Sequence, residues 1–338
     1  MMHRCDSSPA LAAVDALPPN PAARRAWRLL PLLVLALLAI LAFMTTGTRG
    51  DWGFILAFRG IKLATMVLVA CAIAISTVLF QTITHNRILT PALIGFDALY
   101  TLIQAAAAFG LGTELTSISQ ASGVQFLVQV AIMTGLACLL FRWLFTDTAQ
   151  SLHRLILVGI TFGLLFRSLA NLLMRLIDPN EFVIVQDKLF ASFNSVEPKL
   201  LGLSTVLLVA AALWALRLLP RYDVLALGRD IAINLGVPYQ RTVMQTLVVI
   251  AVLVAVSTAL VGPITFLGLL VSNLAYHVMD CDRHRLTLPA AILIGIILLV
   301  GGQTVLEHVL HLETAISVVI EFTGGLLFLL MVTRKAMK

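Results

Sequence analysis

A chain of 338 residues that is 60% hydrophobic and 12% charged, with a mean hydropathy of +1.00, has too little polar surface to fold as an ordinary water-soluble domain. Its net charge of +6 comes without any basic patch interleaved with aromatics, so the excess is read as a membrane-topology signal and not as a nucleic-acid footprint. The four cysteines, Cys5, Cys71, Cys138 and Cys281, are scattered, and no CxxC pair or disulfide framework is formed from them.

Residues 1–26 are rich in Ala, Pro, Ser and Arg and read as a flexible tail. Arg24, Arg25 and Arg28 precede a long apolar run without a clear small-residue cleavage site, so that run is expected to be retained as a first span. A membrane helix needs about 20 apolar residues, and such runs recur along the rest of the chain. Ten spans are expected, near 27–46, 62–81, 92–111, 124–145, 153–176, 200–219, 242–261, 264–279, 286–304 and 315–333. The fold class is therefore an all-α polytopic membrane protein, with a transmembrane domain over 27–338.

The boundary between the seventh and eighth spans depends on one dipeptide. From Arg241 to Asp280 the chain passes 38 residues without an Asp, Glu, Lys or Arg, far too long for one crossing, and Gly262-Pro263 is the point where it must divide. Orientation follows from counting Lys and Arg on alternate sides. One side collects sixteen and the other seven, which puts both termini and the loop at about 220–241 in the cytoplasm.

That loop reads DVLALGRDIAINLGVPYQR from Asp223 to Arg241. Leu227, Ile231 and Leu235 recur four apart on one helical face, with Arg229, Asp230 and Asn234 off it. Gly236 stands where a helix C-cap glycine belongs and Pro238 blocks continuation, so a helix of about two turns is expected. It is too short to span a bilayer and suits the docking of a soluble partner.

Charges inside spans are costly and mark candidate sites. Asp97 is expected in the third span toward the cytoplasm, where a helix-packing hydrogen bond suits it. Arg167 and Glu321 are expected in the outer halves of their spans, either as a structural pair or with Arg167 facing a pathway for an anion. The structural pair is favoured. His308 and His311, with Glu307 and Glu313 nearby, have the spacing for metal ligation but fall at a membrane boundary where polar residues are expected anyway, so no metal and no cofactor is assigned. Gly159 and Gly163 form a GxxxG for close helix approach, and Gly324 and Gly325 serve the same purpose by their size.

Several separate motifs then carry a family resemblance, in order along the chain. LALGRDIAINLGV, ALVGPITFLGLLV and DRHRLTLP resemble the permease subunits of the iron-siderophore and vitamin B12 ABC importers. QTITHNRILTPALIGFDALY follows the FRGIK stretch, Phe58–Lys62, which sits where that family has an Arg-Leu-Pro-Arg motif. The THNRILTP and GFDALY wording looks most like the catecholate-siderophore members. The chain departs from the wider pattern at Ser272-Asn273, where many members have Pro-His, and at Glu307, where the B12-type members carry an arginine.

The resemblance implies a role for each candidate residue. Gly228, Arg229, Asp230, Ile231, Leu235 and Gly236 would form the element that couples to a separate nucleotide-binding ATPase subunit, since this chain has no G-x-x-x-x-G-K-[ST] phosphate loop of its own. Arg59, Lys62 and Glu307 would meet a substrate-binding protein. The remaining partners implied are a second permease, identical or related, membrane lipid and a ferric siderophore, in the cytoplasmic (inner) membrane. Another metal chelate or a corrinoid is the alternative cargo. A secondary transporter would need coupling-ion ligands near the midplane, and although Gly262-Pro263 offers a break, no convincing cluster of ion ligands surrounds it in the sequence. An intramembrane enzyme would need a catalytic motif such as H-E-x-x-H, which is not present.

Overall fold

The computed structural model describes residues 27–47, 52–111, 123–144, 152–194, 196–308 and 316–336, and among these there is no strand. In hydrocarbon every backbone amide and carbonyl needs an internal partner, and a helix supplies one within a single segment. The helices are α1 (Leu29–Thr45), α2 (Trp52–Thr84), α3 (Phe96–Leu111), α4 (Gly123–Leu144), α5 (Leu152–Leu176), α6 (Pro179–Lys188) and α7 (Pro198–Leu225). They continue as α8 (Arg229–Asn234), α9 (Tyr239–Val261), α10 (Leu267–Met279), α11 (His284–Ile296), α12 (Gly302–His308) and α13 (Ile316–Ala336).

Each expected span coincides with helix, and six helical stretches are long and apolar enough to cross a membrane: those in α2, α4, α5, α7, α9 and the run His284–His308. In that last run a π turn, Ile297–Gly301, joins α11 to α12 and packs against α1. The apolar helices α1, α10 and the Ile316–Leu326 part of α13 are shorter. The tail over residues 1–26 lies outside the described residues.

α2 is the shared centre of two cores. Leu79, Phe80 and Ile83 join the cluster built on α9, α4 and α7, while Met66, Val69 and Val78 join the one built on α1, α10 and α11. Lipid tails are as apolar as leucine, so hydrophobicity alone does not bring membrane helices together, and close packing of small residues does. Ala70 of α2 lies directly against Gly295 of α11. The expected GxxxG acts in the same way: Gly159 and Gly163 of α5 lie on Ile94 and Gly95 at the entry to α3, and a Cβ on Gly95 would come within 2.7 Å of Gly163 Cα. Gly324 of α13 packs on Phe266 and Leu270, whereas Gly325 faces open space.

The charge-free run breaks as expected. α9 ends at Val261, α10 starts at Leu267, and the five residues between are not helical. The freed carbonyl of Val261 accepts the Ser192 amide at 2.9 Å, so the loop after α6 takes over part of the hydrogen bonding that the break releases.

Candidate functional site

α8 is a six-residue helix held between two glycines in left-handed conformations, Gly228 at φ +108° and Gly236 at φ +80°. A side chain at either place would strain the backbone, so the chain can turn sharply into α8 and out of it again. Ala232 is fully buried against the rest of the fold, while Leu227, Ile231 and Leu235 are 56%, 48% and 61% exposed. The apolar face legible in the sequence is thus presented outward. Arg229 lies over the Tyr239 ring at 6.0 Å, and Arg229 and Asp230 are both exposed.

Behind α8 is a polar node joining three helices. Asp223, near the end of α7, accepts from the His284 amide at 2.9 Å and from His284 Nδ1 at 2.7 Å. The other ring nitrogen of His284 meets Thr82 Oγ1 of α2 at 2.7 Å, and the Thr82 hydroxyl also donates to the Val78 carbonyl at 2.8 Å. Next to it Arg87 pairs with Asp282 at 2.6 Å and covers the Tyr276 ring at 4.6 Å. The Arg87 carbonyl accepts from Gln81 and Asn273. The node ties the end of α7, the helix that leads into α8, to α2 and α11 through side chains, and Asp223, Thr82 and His284 were not among the candidate residues taken from the sequence. Their signal was the DRHR wording, which is informative only once the loop is folded against α7.

At the opposite end of α2, Arg59 and Lys62 lie within the helix, which begins at Trp52 and not near residue 62 as expected. Arg59 donates to the carbonyls of Phe43 at 2.8 Å and Thr46 at 2.7 Å, so its guanidinium caps the open C-terminus of α1. Its second nitrogen meets His308 Nε2 at 3.3 Å. Lys62, 6% exposed, pairs with Glu307, which also accepts from Gln303 at 2.6 Å. The charges of Lys62 and Glu307 are spent on each other within the chain. With Glu307 committed to Lys62 and His308 beside Arg59, the histidine-glutamate grouping is occupied by structural contacts, and His311 and Glu313 lie outside the described residues.

Breaking a buried ion pair from one side leaves an uncompensated charge. Lys62→Met is expected to destabilise the chain by about 3 kcal/mol, the low end of the range for a buried pair because Glu307 is 30% exposed. The double variant Lys62→Met/Glu307→Leu should recover most of that loss. Thermal unfolding midpoints of the four chains in detergent, read as a double-mutant cycle, check this; equal effects of the single and double variants would remove the pair's structural role.

The intramembrane charges are arranged differently from the expectation. Among the described residues Arg167 and Glu321 form no ion pair. Glu321 instead meets Thr265, whose hydroxyl donates to Asp97 Oδ2 at 2.8 Å and lies 3.5 Å from Glu321 Oε1. Asp97 and Glu321 therefore sit at one depth, at the α9–α10 break, and not in opposite halves of the membrane. The reason is that α3 starts only after a short 3-10 turn, Ala92–Ile94, between Pro91 and Gly95, which shifts Asp97 from the place an uninterrupted span would give it.

Arg167 is exposed on α5, the least enclosed of the long helices: 11% of its apolar stretch is buried, against 67% in α2 and in α9. Thr161, Ser168 and Arg175, seven apart on one face, are exposed with Asn171 beside them and Arg167 at the flank. A face bearing this many polar groups is not suited to lipid tails. It is suited to a hydrated path or to another protein.

A polar cavity of about 360 Å³ opens between α3, α4, α6 and α7, with Tyr100, Gln104, Gln125, Gln129, Lys188 and Glu197 among its walls. Among the described residues Gln125 Oε1 and Gln129 Nε2 are buried there without a partner, so it has the polarity and the room for water. Burial holds the Lys188 ammonium below the usual lysine range. α6, which contributes Lys188, was not expected. Its signal was present in Asp178, which caps the helix by accepting from the Asn180 amide at 2.9 Å, and in Pro179 at the first helical position.

Residues 29–334 match the FecCD transport family. The chain is similar to a petrobactin import system permease protein of Bacillus subtilis (strain 168), 44% identical over 286 residues that cover 85% of this chain and 90% of the relative. It is similar also to one of Bacillus anthracis, 36% identical, covering 82% and 78%, and to a ferric enterobactin transport system permease protein of Escherichia coli (strain K12), 28% identical, covering 84% of each. In three dimensions it resembles a solved ABC transporter of metal-chelate type in an inward-facing conformation, with a TM-score of 0.79 at 22% identity over 90% of this chain and 98% of that one. That last likeness concerns the fold.

Proposed function

This chain belongs to the FecCD transport family, and on that premise we propose that it carries a ferric siderophore of the catecholate type across the cytoplasmic membrane, as the permease subunit of an ATP-driven importer. Relatives sharing 44% and 36% of their aligned residues are named for petrobactin import, and a further one for ferric enterobactin. The observation that carries the reading is the outward face of α5. A span that turns Arg167, Ser168 and Asn171 away from its own core supports a path walled jointly with a second permease, identical or related.

In this reading both termini and α8 are cytoplasmic, and the exposed Leu227, Ile231 and Leu235 rest in a groove of a separate nucleotide-binding subunit, with Gly228, Arg229, Asp230 and Gly236 setting the helix and its polar rim. ATP binding and hydrolysis there would move α8, and the Asp223–His284–Thr82 node would pass the movement to α2 and α11. The Arg59 end would receive a substrate-binding protein. Arg59 holds its α1 edge, and Lys62 with Glu307 sets the surface on which that protein rests, so the charges steer and register more than they bind.

The test is uptake of radiolabelled iron on a panel of siderophores, in cells carrying or lacking this chain. Loss of uptake is expected for the catecholate class, with restoration by the wild-type chain. Unchanged uptake across the panel would overturn the siderophore assignment.

A further inference from the structure

The break between α9 and α10 faces the approach to α3 through Thr90, Pro91 and Ala92, and between them lies a small cavity of about 30 Å³. Ser76, Thr77, Thr90, Asp97, Ser257 and Thr265 supply its polar walls. One water needs roughly 10–15 Å³ of such space, so the pocket suits one dehydrated ion with at most a single companion water.

The walls are rich in acceptors. A hydroxyl has one proton to give, and three of these are already directed elsewhere: Ser76 donates to the Ile73 carbonyl at 3.1 Å, Ser257 to the Val254 carbonyl at 3.1 Å, and Thr265 to Asp97 at 2.8 Å. Their oxygens keep free lone pairs. Thr90 is 1% exposed, and among the described residues its Oγ1 has no hydrogen-bond partner. On the far side of Thr265 stands Glu321 at 3.5 Å, so two carboxyl groups converge on a single hydroxyl proton. Among the described residues Arg167, across on α5, forms no salt bridge with either, although its charge reaches Asp97.

An orphaned buried hydroxyl, a carboxylate and hydroxyl oxygens with their protons turned away, gathered at a broken helix, form a hard-oxygen donor set of the kind that suits an alkali cation. We propose that this pocket binds one monovalent cation, held by Asp97, Thr90 and the surrounding hydroxyl oxygens, and that the ion neutralises Asp97 and pins α3 to the α9–α10 break. The metal is a resident of the fold, separate from any transported iron, and the proposal holds whatever the cargo.

Binding of radioactive sodium to the purified full-length chain in lipid nanodiscs tests it, with choline chloride as the ionic-strength control. Saturable binding near one ion per chain is expected, displaced by unlabelled sodium and not by choline. Thr90→Val should weaken it about 10-fold, the loss of one hydrogen-bonding ligand to a charged group, and Asp97→Asn should abolish it. The thermal unfolding midpoint of the wild-type chain should rise in sodium relative to choline, and this readout decides the matter even where a variant fails to fold. No saturable binding, an equal midpoint in both salts, or unchanged binding in both folded variants would each overturn the site.

Discussion

Ile231→Asp combined with Leu235→Asp is expected to lower iron uptake by about 100-fold, with the chain still reaching the membrane in normal amount. Both side chains are about half exposed or more, and substitutions at such places cost the fold itself little, within about 0.5 kcal/mol. Their value lies in a contact with something outside this chain. A carboxylate pressed into an apolar groove loses its water without gaining a partner, and about 3 kcal/mol of lost docking corresponds to about 100-fold. Uptake of radiolabelled iron, together with recovery of the ATPase subunit on affinity-purified permease, measures the effect. Normal uptake with normal recovery would mean that α8 is an interfacial helix without a coupling role, because the variant removes the apolar face while sparing Ala232, the buried residue that seats α8 on the protein.

Arg167→Glu is the second large effect. Arg167 is exposed along a membrane-crossing helix and takes part in no ion pair among the described residues, although its charge bears on Asp97, so its replacement breaks no salt bridge and the unfolding midpoint should stay close to wild type. Reversing its charge beside an anionic ferric catecholate should cost about 2 kcal/mol, or about 30-fold in uptake. Arg167→Lys should lose only a few-fold, since it keeps the charge and gives up the planar fork. The competing structural reading makes the opposite forecast. If Arg167 served chiefly to balance Glu321, then Arg167→Glu would unfold the chain and a compensating Glu321→Arg would rescue it. Measuring uptake and unfolding midpoint on the same set of variants separates the two.

Asp97 and Glu321 show why the sequence-based placement of charges in the membrane went astray. Depth was taken from position within an apolar run, as if every span were a continuous helix. A short 3-10 turn, Ala92–Ile94, stands between Pro91 and Gly95 before α3, and the five residues after Val261 are non-helical, so each shifts its neighbouring side chain from the place an uninterrupted α-helix would give it. Thr265 then collects two acids from α3 and α13 that are 168 and 56 residues away in sequence. The same holds at the Arg59 end. Lys62 and Glu307, 245 residues apart, were both expected to face an outside protein, and no local pattern indicates that they face each other.

What the sequence by itself determined is whatever a short window of chain decides. Hydropathy over about twenty residues located the spans, Gly262-Pro263 divided the longest apolar run, and the interval of four between Leu227, Ile231 and Leu235, closed by Gly236 and Pro238, defined α8 and its apolar face. These follow from backbone geometry and transfer of side chains from water, which act locally. The tertiary structure alone decided which charges are spent inside the chain and which are left for partners. It buried Lys62 against Glu307, tied Asp223 to His284 and Thr82, brought two acids to one threonine, and left the polar face of α5 uncovered. In a membrane every apolar helix has the same gain from insertion, so pairing is set by the close fit of small residues such as Gly163 on Gly95 and Gly295 on Ala70, and that fit exists only between segments far apart in the chain.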